Sequence, residues 1–462
     1  MSVVEPLYLV AGKILLLMIL LNCSKNPLQN GKDASDLKLT FFNLQSVGTT
    51  ASTINWGCSF ASQGMFSYGE LGMEKFEFLP LTSTLHQINL QNLTPNTNYK
   101  YIAYCKNNRI VTSYIQSFQT LSAYPPTISA ERGIWIVGGI GNDGLPVAQI
   151  DLYDPVIDTW FPNVTTIPTP RSFAGIAQVN GKIYVIGGIN ANSAMTNIVE
   201  EFNPTTLTWR SSTTGAIASL PTILQGALAS NVGDSIYLLG GSTDIFTASA
   251  INAVYRFTPE LGQTGTWSGV LFTIPFRVDY TGCQIDGTIY YNNGRDASGV
   301  QQTAADAFIP SGNTITSLSE ASSTQGRFGI ASVCYKPRTS DSYPADTPSI
   351  FTIGGSRTPV SNTSQPPTVI SATNRFDYYI PSTNTIQSGN LPVNLYAPAS
   401  EVSYETRKLY VFGGATTINI PLNTMYSIDV SNPTLSSWTA SSVPSNVVAR
   451  FGHKALLLNR EK

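Results

Sequence analysis

A short apolar run closed by two glycines recurs along the last two-thirds of the chain, and no other feature limits the fold so tightly. The copies are Ile134-Trp135-Ile136-Val137-Gly138-Gly139, Ile183-Tyr184-Val185-Ile186-Gly187-Gly188, Ile236-Tyr237-Leu238-Leu239-Gly240-Gly241, Ile350-Phe351-Thr352-Ile353-Gly354-Gly355 and Leu409-Tyr410-Val411-Phe412-Gly413-Gly414. A degenerate copy, Ile289-Tyr290-Tyr291-Asn292-Asn293-Gly294, fills the one gap. The pairs begin at 138, 187, 240, 293, 354 and 413, in steps of 49, 53, 53, 61 and 59 residues. A second mark keeps register with the first. An aromatic residue heads Tyr153-Asp154-Pro155, Phe202-Asn203-Pro204, Phe257-Thr258-Pro259, Phe308-Ile309-Pro310 and Tyr379-Ile380-Pro381, with Ile428 in the sixth slot. Trp160, Trp209, Trp267 and Trp438 follow 7 or 10 residues later, with Ile315 and Ile386 in their place in copies four and five. Charged residues make up only 12% of the 462-residue chain, which sets aside a disordered or surface-helical protein and suits short strands joined by polar turns.

The two marks together resemble the kelch repeat, which builds four-stranded propeller blades. The resemblance implies that the glycine pair closes the second strand, where the backbone turns with positive φ. It also implies that the tryptophan ends the fourth strand and packs against the neighbouring blade. The first copy has no room for its own first strand after Tyr124-Pro125-Pro126, and Arg450 to Leu458 reads as the missing one. Residues 124–462 are therefore expected to form a six-bladed propeller closed by a C-terminal strand, with no free edge.

Residues 38–122 read as a separate β-sandwich. Ile54, Trp56 and Cys58 alternate onto one strand face, and His86-Gln87-Ile88-Asn89-Leu90 alternates in the same way. Leu93-Thr94-Pro95-Asn96-Thr97-Asn98-Tyr99 resembles the fibronectin type III turn into its sixth strand, with Tyr99 as the corner tyrosine that ties back to the turn. Trp56 stands where that family has its second-strand tryptophan. Cys105 shares a face with Tyr99 and Tyr101, so a Cys58–Cys105 disulfide is expected, with two buried free thiols as the alternative. The fold class is all-β: an immunoglobulin/fibronectin-type sandwich followed by a kelch-type propeller.

The N-terminus reads as an address. The apolar stretch Ile14 to Leu21 runs into Leu20-Leu21-Asn22-Cys23-Ser24 and resembles a bacterial lipoprotein signal peptide with a relaxed lipobox. The resemblance makes residues 1–23 the signal, Cys23 the lipidated residue and 24–37 a polar tether. An ordinary signal peptide or a membrane anchor with an incidental cysteine is the alternative. With Cys23 lipidated, the other cysteines number four, an even count suited to an oxidising compartment. The expected location is the bacterial cell envelope: outer membrane, surface or periplasmic face.

Function is less constrained. Net charge is −2 and no Lys/Arg stripe occurs, which argues against nucleic acid. With only His86 and His453, no histidine metal site and no cofactor is expected, and the copper-oxidase branch of the kelch group is set aside. Arg171, Arg277, Arg327 and Arg450 each begin an inner strand in register. They form either a guanidinium ring that captures ligand carboxylates or a structural set that bonds blade-entry carbonyls. Cys283 and Cys334 sit on inner strands of blades four and five and are disulfide candidates. The Ser/Thr/Pro-rich insertions 337–349 and 356–374 in copy five are either binding loops or tolerated additions. The leading expectation is a non-catalytic module binding a protein or glycan at the propeller face, attached to the membrane by its lipid. The alternative is a sugar-active enzyme resembling the sialic-acid mutarotases of the kelch group, with Asp279, Asp286, Glu320 and Glu401 as carboxylates in suitable positions.

Overall fold

The computed structural model describes residues 37–121, 130–244, 249–260, 263–318, 326–337, 348–357, 370–417, 420–431 and 437–458. Cys23, the signal segment, nearly all of the tether, Glu320 and most of both copy-five insertions lie outside the described residues. Among those described, strands dominate, and the only helical element is a 3-10 turn at Ser212–Thr214.

The N-terminal unit is built on one long strand whose two halves take different partners. In chain order its strands are β1 (Leu39–Val47), β2 (Ser52–Gly69), β3 (Lys75–Leu90), β4 (Asn98–Lys106), β5 (Ile110–Thr112) and β6 (Gln116–Gln119). The first half of β2 lies between β1 and the second half of β3, with Ile54 opposite Leu44 and Ile88. Its second half lies between the first half of β3 and β4, with Phe66 opposite Glu77 and Ala103. The register breaks between Gly57 and Ser62, where the strand passes from one partner set to the other. Side chains from both halves then share one core: Ile54, Trp56, Phe66, Tyr68, Tyr99 and Tyr101. Trp56 is fully buried and stacks on Phe66 at 5.7 Å between ring centroids. The Cys58–Cys105 disulfide joins β2 to β4 through this core. The Thr94 N–H donates to the Tyr99 hydroxyl at 2.9 Å, and that hydroxyl donates to Glu70 Oε1 at 2.8 Å, so the tyrosine ties back to its turn.

The C-terminal unit is a ring of six antiparallel sheets, five of them four-stranded and the third five-stranded, where Phe272–Thr273 adds a further pairing. Blade one is composite: Phe451–Leu457 pairs with Ile134–Ile140, followed by Gln149–Asp154 and Thr159–Thr166. The other inner strands are Gly175–Val179, Leu228–Val232, Thr281–Ile285, Ala331–Tyr335 and Ala399–Ser403. Each inner strand packs beside the next, and the last returns to Phe451–Leu457, so the ring closes. A hydrophobic cluster fills every gap between blades; Trp135 and Val137 of blade one, for example, share a cluster with Val185 and Phe202 of blade two. No blade could bury its apolar face alone, which is why the repeats are found as a set.

The glycine pair is a joint between blades as well as a turn. Both members have positive φ, for instance 62° at Gly187 and 93° at Gly188. A Cβ on Gly187 would stand 2.4 Å from the Leu224 carbonyl oxygen of the next blade. In five of the six pairs the second residue uses its N–H to hold the next blade: Gly188 donates to Leu224 O, Gly241 to Arg277 O, Gly294 to Arg327 O, Gly355 to Leu395 O and Gly414 to Arg450 O, all at 2.7–2.9 Å. In the degenerate copy Asn293 holds φ 58°, a value asparagine tolerates better than most residues.

The tryptophan expectation needs correction. Trp160 and Trp209 lie near the start of their fourth strands, opposite Tyr153 and Phe202, and do not end them, whereas Trp267, opposite Phe257, closes the two-residue strand Thr266–Trp267. The aromatic head and the tryptophan are cross-strand partners flanking a tight turn, which explains their short spacing. Packing onto the neighbouring blade does occur: Trp160 meets Phe412 edge-on at 5.7 Å and Trp438 meets Phe376 at 5.4 Å.

The two units are docked. Thr49 Oγ1 donates to Val164 O (3.3 Å), Asn55 Nδ2 to Asp143 Oδ2 (3.1 Å), Asn89 Nδ2 to Pro168 O (3.4 Å) and Gln91 Nε2 to Thr166 O (2.8 Å).

Candidate functional site

The four register arginines all lie at one end of the inner strands, beside the mouth of the central channel, and all are buried. Each guanidinium finds its carboxylate and carbonyl partners within its own blade, while the Nε of Arg171, Arg277 and Arg327 is buried without a partner. Arg171 donates to Glu200 Oε2 at 3.0 Å, to Thr169 O at 3.1 Å and to Val185 O at 2.9 Å. Arg277 donates to Asp306 Oδ2 at 2.7 Å and to the carbonyls of Asn293 and Ala304. Arg327 holds Asp377 Oδ2 at 2.5 Å with the carbonyls of Gly354 and Arg375, and Arg450 holds Asp151 and the carbonyl of Gln149. Burial pushes the guanidinium pKa down at Arg171, Arg450 and Arg327 (to about 10), and pushes the carboxyls of Asp151, Glu200 and Asp306 up. Each ion is costly in the dry wall and is kept charged by its partner. As ligand captors these arginines are therefore corrected. The carboxylate each one holds belongs to the same blade, and no face of the guanidinium reaches solvent.

The partners of the arginines form a repeat mark that a search for aromatic and glycine residues passes over. Asp151, Glu200, Asp306 and Asp377 stand two residues before the aromatic heads Tyr153, Phe202, Phe308 and Tyr379. In blades three and six the arginine slot holds Leu224 and Leu395, and the carboxylate slot holds Tyr255 and Tyr426. Leu224 packs with Tyr255 and Leu395 with Tyr426, in the clusters beside their blades. The ion pair is thus kept or lost as a unit, as expected where a single buried charge would be left without its counter-ion.

Two residues further on, every inner strand enters through a residue with positive φ: Phe173, Gly226, Asp279, Gly329, Ala397 and Gly452. Main-chain bonds link them from blade to blade: Gly226 N to Phe173 O, Gly329 N to Asp279 O, Ala397 N to Gly329 O and Gly452 N to Ala397 O, at 2.7–2.9 Å. This belt rims a small mouth cavity of about 120 Å³. Asp279 there is buried and hydrogen-bonded to Arg295, whose Nε lies at 2.8 Å. His453 lies in the same wall; burial and the nearby Arg450 charge push its pKa well below the ordinary value, so it is a neutral packed residue.

Deeper in, a cavity of about 290 Å³ follows the inner strands toward the other face. Gln178, Asn231, Gln284, Ser400, Glu401 and Lys454 line it. The Glu401 carboxylate accepts the N–H groups of Val402 (2.8 Å) and Leu457 (3.1 Å). Asp286 sits outside the cavity in an exposed ion pair with Lys336 at 2.9 Å. Of the three described carboxylates weighed for sugar chemistry, Asp279 lies at the mouth and Glu401 in the channel, so the structure does not bring them together with Asp286. Cys283 and Cys334 form a disulfide between the inner strands of blades four and five, with Cys283 in the channel wall. Among the described residues no group of three or more histidine, cysteine or acidic side chains is arranged to hold a metal.

A third cavity, of about 690 Å³, lies between the N-terminal unit and the propeller. It runs along both halves of β3, from Lys75 to Leu90, and is faced by Pro168, Pro170 and Asn190 to Asn192. Sequence reasoning had no signal for it, because its walls come from residues about a hundred positions apart.

Comparison with known proteins agrees with the repeat. Residues 170–214, which span most of blade two, match the family model described as Kelch motif. Kelch-like protein 35 of Mus musculus is 28% identical over 187 residues, 40% of this chain and 29% of that protein. Beta-scruin of Limulus polyphemus is 28% identical over 145 residues, 30% of this chain and 15% of that protein. The chain thus spans less than a third of the length of either relative. A solved structure described as that of YjhT has a TM-score of 0.49 at 16% identity, covering 68% of this chain and 98% of that one. The chain is all-β, and its second blade carries a Kelch motif.

Proposed function

We propose that this kelch-type propeller protein is an exported, lipid-anchored binding module of the bacterial cell envelope. Lipid on Cys23 would hold it to the membrane, a fibronectin type III-like sandwich (38–122) would follow the tether, and the propeller face would recognise a protein or glycan. The observation that carries this reading is how the ring uses its charges. Four arginines and their carboxylates are engaged inside the blades. The solvent-facing channel is left lined largely by amides and hydroxyls, Gln178, Asn231, Gln284 and Ser400. A rigid scaffold with neutral hydrogen-bonding groups suits recognition. The Kelch motif supports a protein-interaction role, and the two disulfides support an oxidising, exported location.

The reading has two tests. Metabolic labelling with a palmitate analogue should mark the wild type and not Cys23→Ala; equal labelling would remove the anchor. Calorimetric titration with cell-wall glycan fragments and purified envelope proteins should give at least one saturable ligand whose affinity falls on Gln284→Ala and Lys454→Ala. The enzyme alternative rests on Glu401 in the channel wall. Faster anomer exchange of a sugar panel by NMR, lost on Glu401→Gln, would put a mutarotase-like activity in place of simple binding.

A further inference from the structure

We propose that the cleft between the N-terminal unit and the propeller binds a short extended peptide with apolar side chains, laid along the open edge of β3. The site is distinct from the propeller face and does not rest on that reading. At about 690 Å³ the cleft is larger than the channel cavities of about 290 and 120 Å³, and it falls within the usual range for ligand sites, which favour domain junctions. Its shape is set in advance by the side-chain amides of Asn55, Asn89 and Gln91 that fix the N-terminal unit to the propeller, so a ligand need order little to enter.

Three features select a peptide. The first is main chain. Among the described residues β3 pairs only with β2, so alternate residues of His86–Leu90 turn their N–H and C=O groups away from β2, while the Leu85 N–H is taken by Ser83 Oγ. An added strand satisfies such groups, which is how exposed sheet edges capture extended peptides. The usual protections of a free edge, lysine and proline, line the part of the cleft along the first half of β3 at Lys75 and Pro80, and the stretch Leu85 to Leu90 carries neither. The second feature is the apolar wall. Leu79, Leu81 and Leu85 of β3 line the gap together with Pro168 and Pro170 of the propeller, and Leu85 is 39% exposed. The third is an acceptor without a donor. His86 is 4% exposed, lies against Trp56 at 5.3 Å between ring centroids, and lines the cleft. One ring nitrogen bonds the Ser83 backbone, and Nε2 has no partner. Burial holds the ring neutral, with a pKa of about 4, so Nε2 offers a lone pair and needs an N–H or O–H. The side-chain oxygen of Gln87 is likewise without a partner. A peptide supplies N–H donors for these acceptors and apolar side chains for the wall. A sugar would supply donors and leave the wall uncovered.

The test is a displayed library of random hexapeptides selected on the full chain, with fluorescein-labelled winners titrated by anisotropy. Winners are expected to alternate apolar residues and to lose at least tenfold in affinity on Asn192→Trp, which obstructs the cleft from an exposed propeller loop. They should lose affinity on His86→Phe as well, and be unchanged by Lys454→Ala in the channel. Asn192→Trp should melt like the wild type, so the result stands even if His86→Phe is destabilised. No selected sequence, winners indifferent to Asn192→Trp, or displacement of winners only by variants of the channel would each overturn the proposal. Binding of maltohexaose in the cleft with no peptide binding would overturn it in favour of a sugar. A failure of propeller-face recognition would show only in the Gln284 and Lys454 variants.

Discussion

The Arg171–Glu200 pair allows the ring to be tested against its own natural variation. Both side chains are fully buried, and the guanidinium serves one carboxylate and two carbonyls. Arg171→Leu alone strands Glu200, whose other contacts, from the Thr169 N–H at 3.4 Å and Ser211 Oγ at 3.5 Å, are long. Removing one partner of a buried pair costs roughly 3–5 kcal/mol. The double variant Arg171→Leu with Glu200→Tyr copies the Leu224/Tyr255 arrangement of the next blade. It removes the stranded charge but leaves the carbonyls of Thr169 and Val185 without their donor. Its expected cost is about 1–2 kcal/mol, the scale of hydrogen bonds left unmade. The pair should therefore couple by at least about 2 kcal/mol, the double variant being more stable than Arg171→Leu alone. Urea unfolding followed by tryptophan fluorescence reads this directly, since Trp160, Trp209, Trp267 and Trp438 all sit at blade interfaces. A double variant as unstable as the sum of the singles would refute the claim that the arginines serve the blades through their carboxylates.

Other outcomes follow from the same coordinates. Deleting residues 449–462 removes the inner strand of blade one and the Arg450 partner of Asp151, so the propeller should lose its cooperative thermal transition; a melt like the wild type's would contradict closure. Replacing Cys58 and Cys105 together by alanine should cost the N-terminal unit about 4 kcal/mol on the chain-entropy scale for a 47-residue separation. Denaturation curves with and without reductant check this. His86 titrates near 4 when folded against an ordinary 6.5. Between those values the unfolded chain binds the extra proton, so stability is fully held above about pH 6.5 and falls as pH drops toward 4. His86→Phe should flatten that part of a stability–pH profile, and an unchanged slope would show that other groups govern it.

How much of this was legible in the sequence can be followed residue by residue. The six-fold glycine mark determined the ring, because a turn with two successive positive-φ residues needs glycine or asparagine wherever it occurs. The missing first strand and Arg450 to Leu458 determined closure for an equally local reason: a four-stranded blade with three strands must borrow the fourth. Tyr99 and Trp56 marked the N-terminal strands, since alternation alone fixes which side chains share a core. The arginines were visible as a register, but their role was not. A guanidinium that points to a ligand and one that points into a blade wall have the same sequence, and only the fold brings Glu200 within 3.0 Å of Arg171. The place of Trp160 and Trp209 near the start of the fourth strand was decided by pairing, which spacing does not encode. The junction cleft belonged wholly to tertiary structure. His86 is one histidine in an alternating strand until the propeller loops at Pro168 and Asn190 come to face it across the gap.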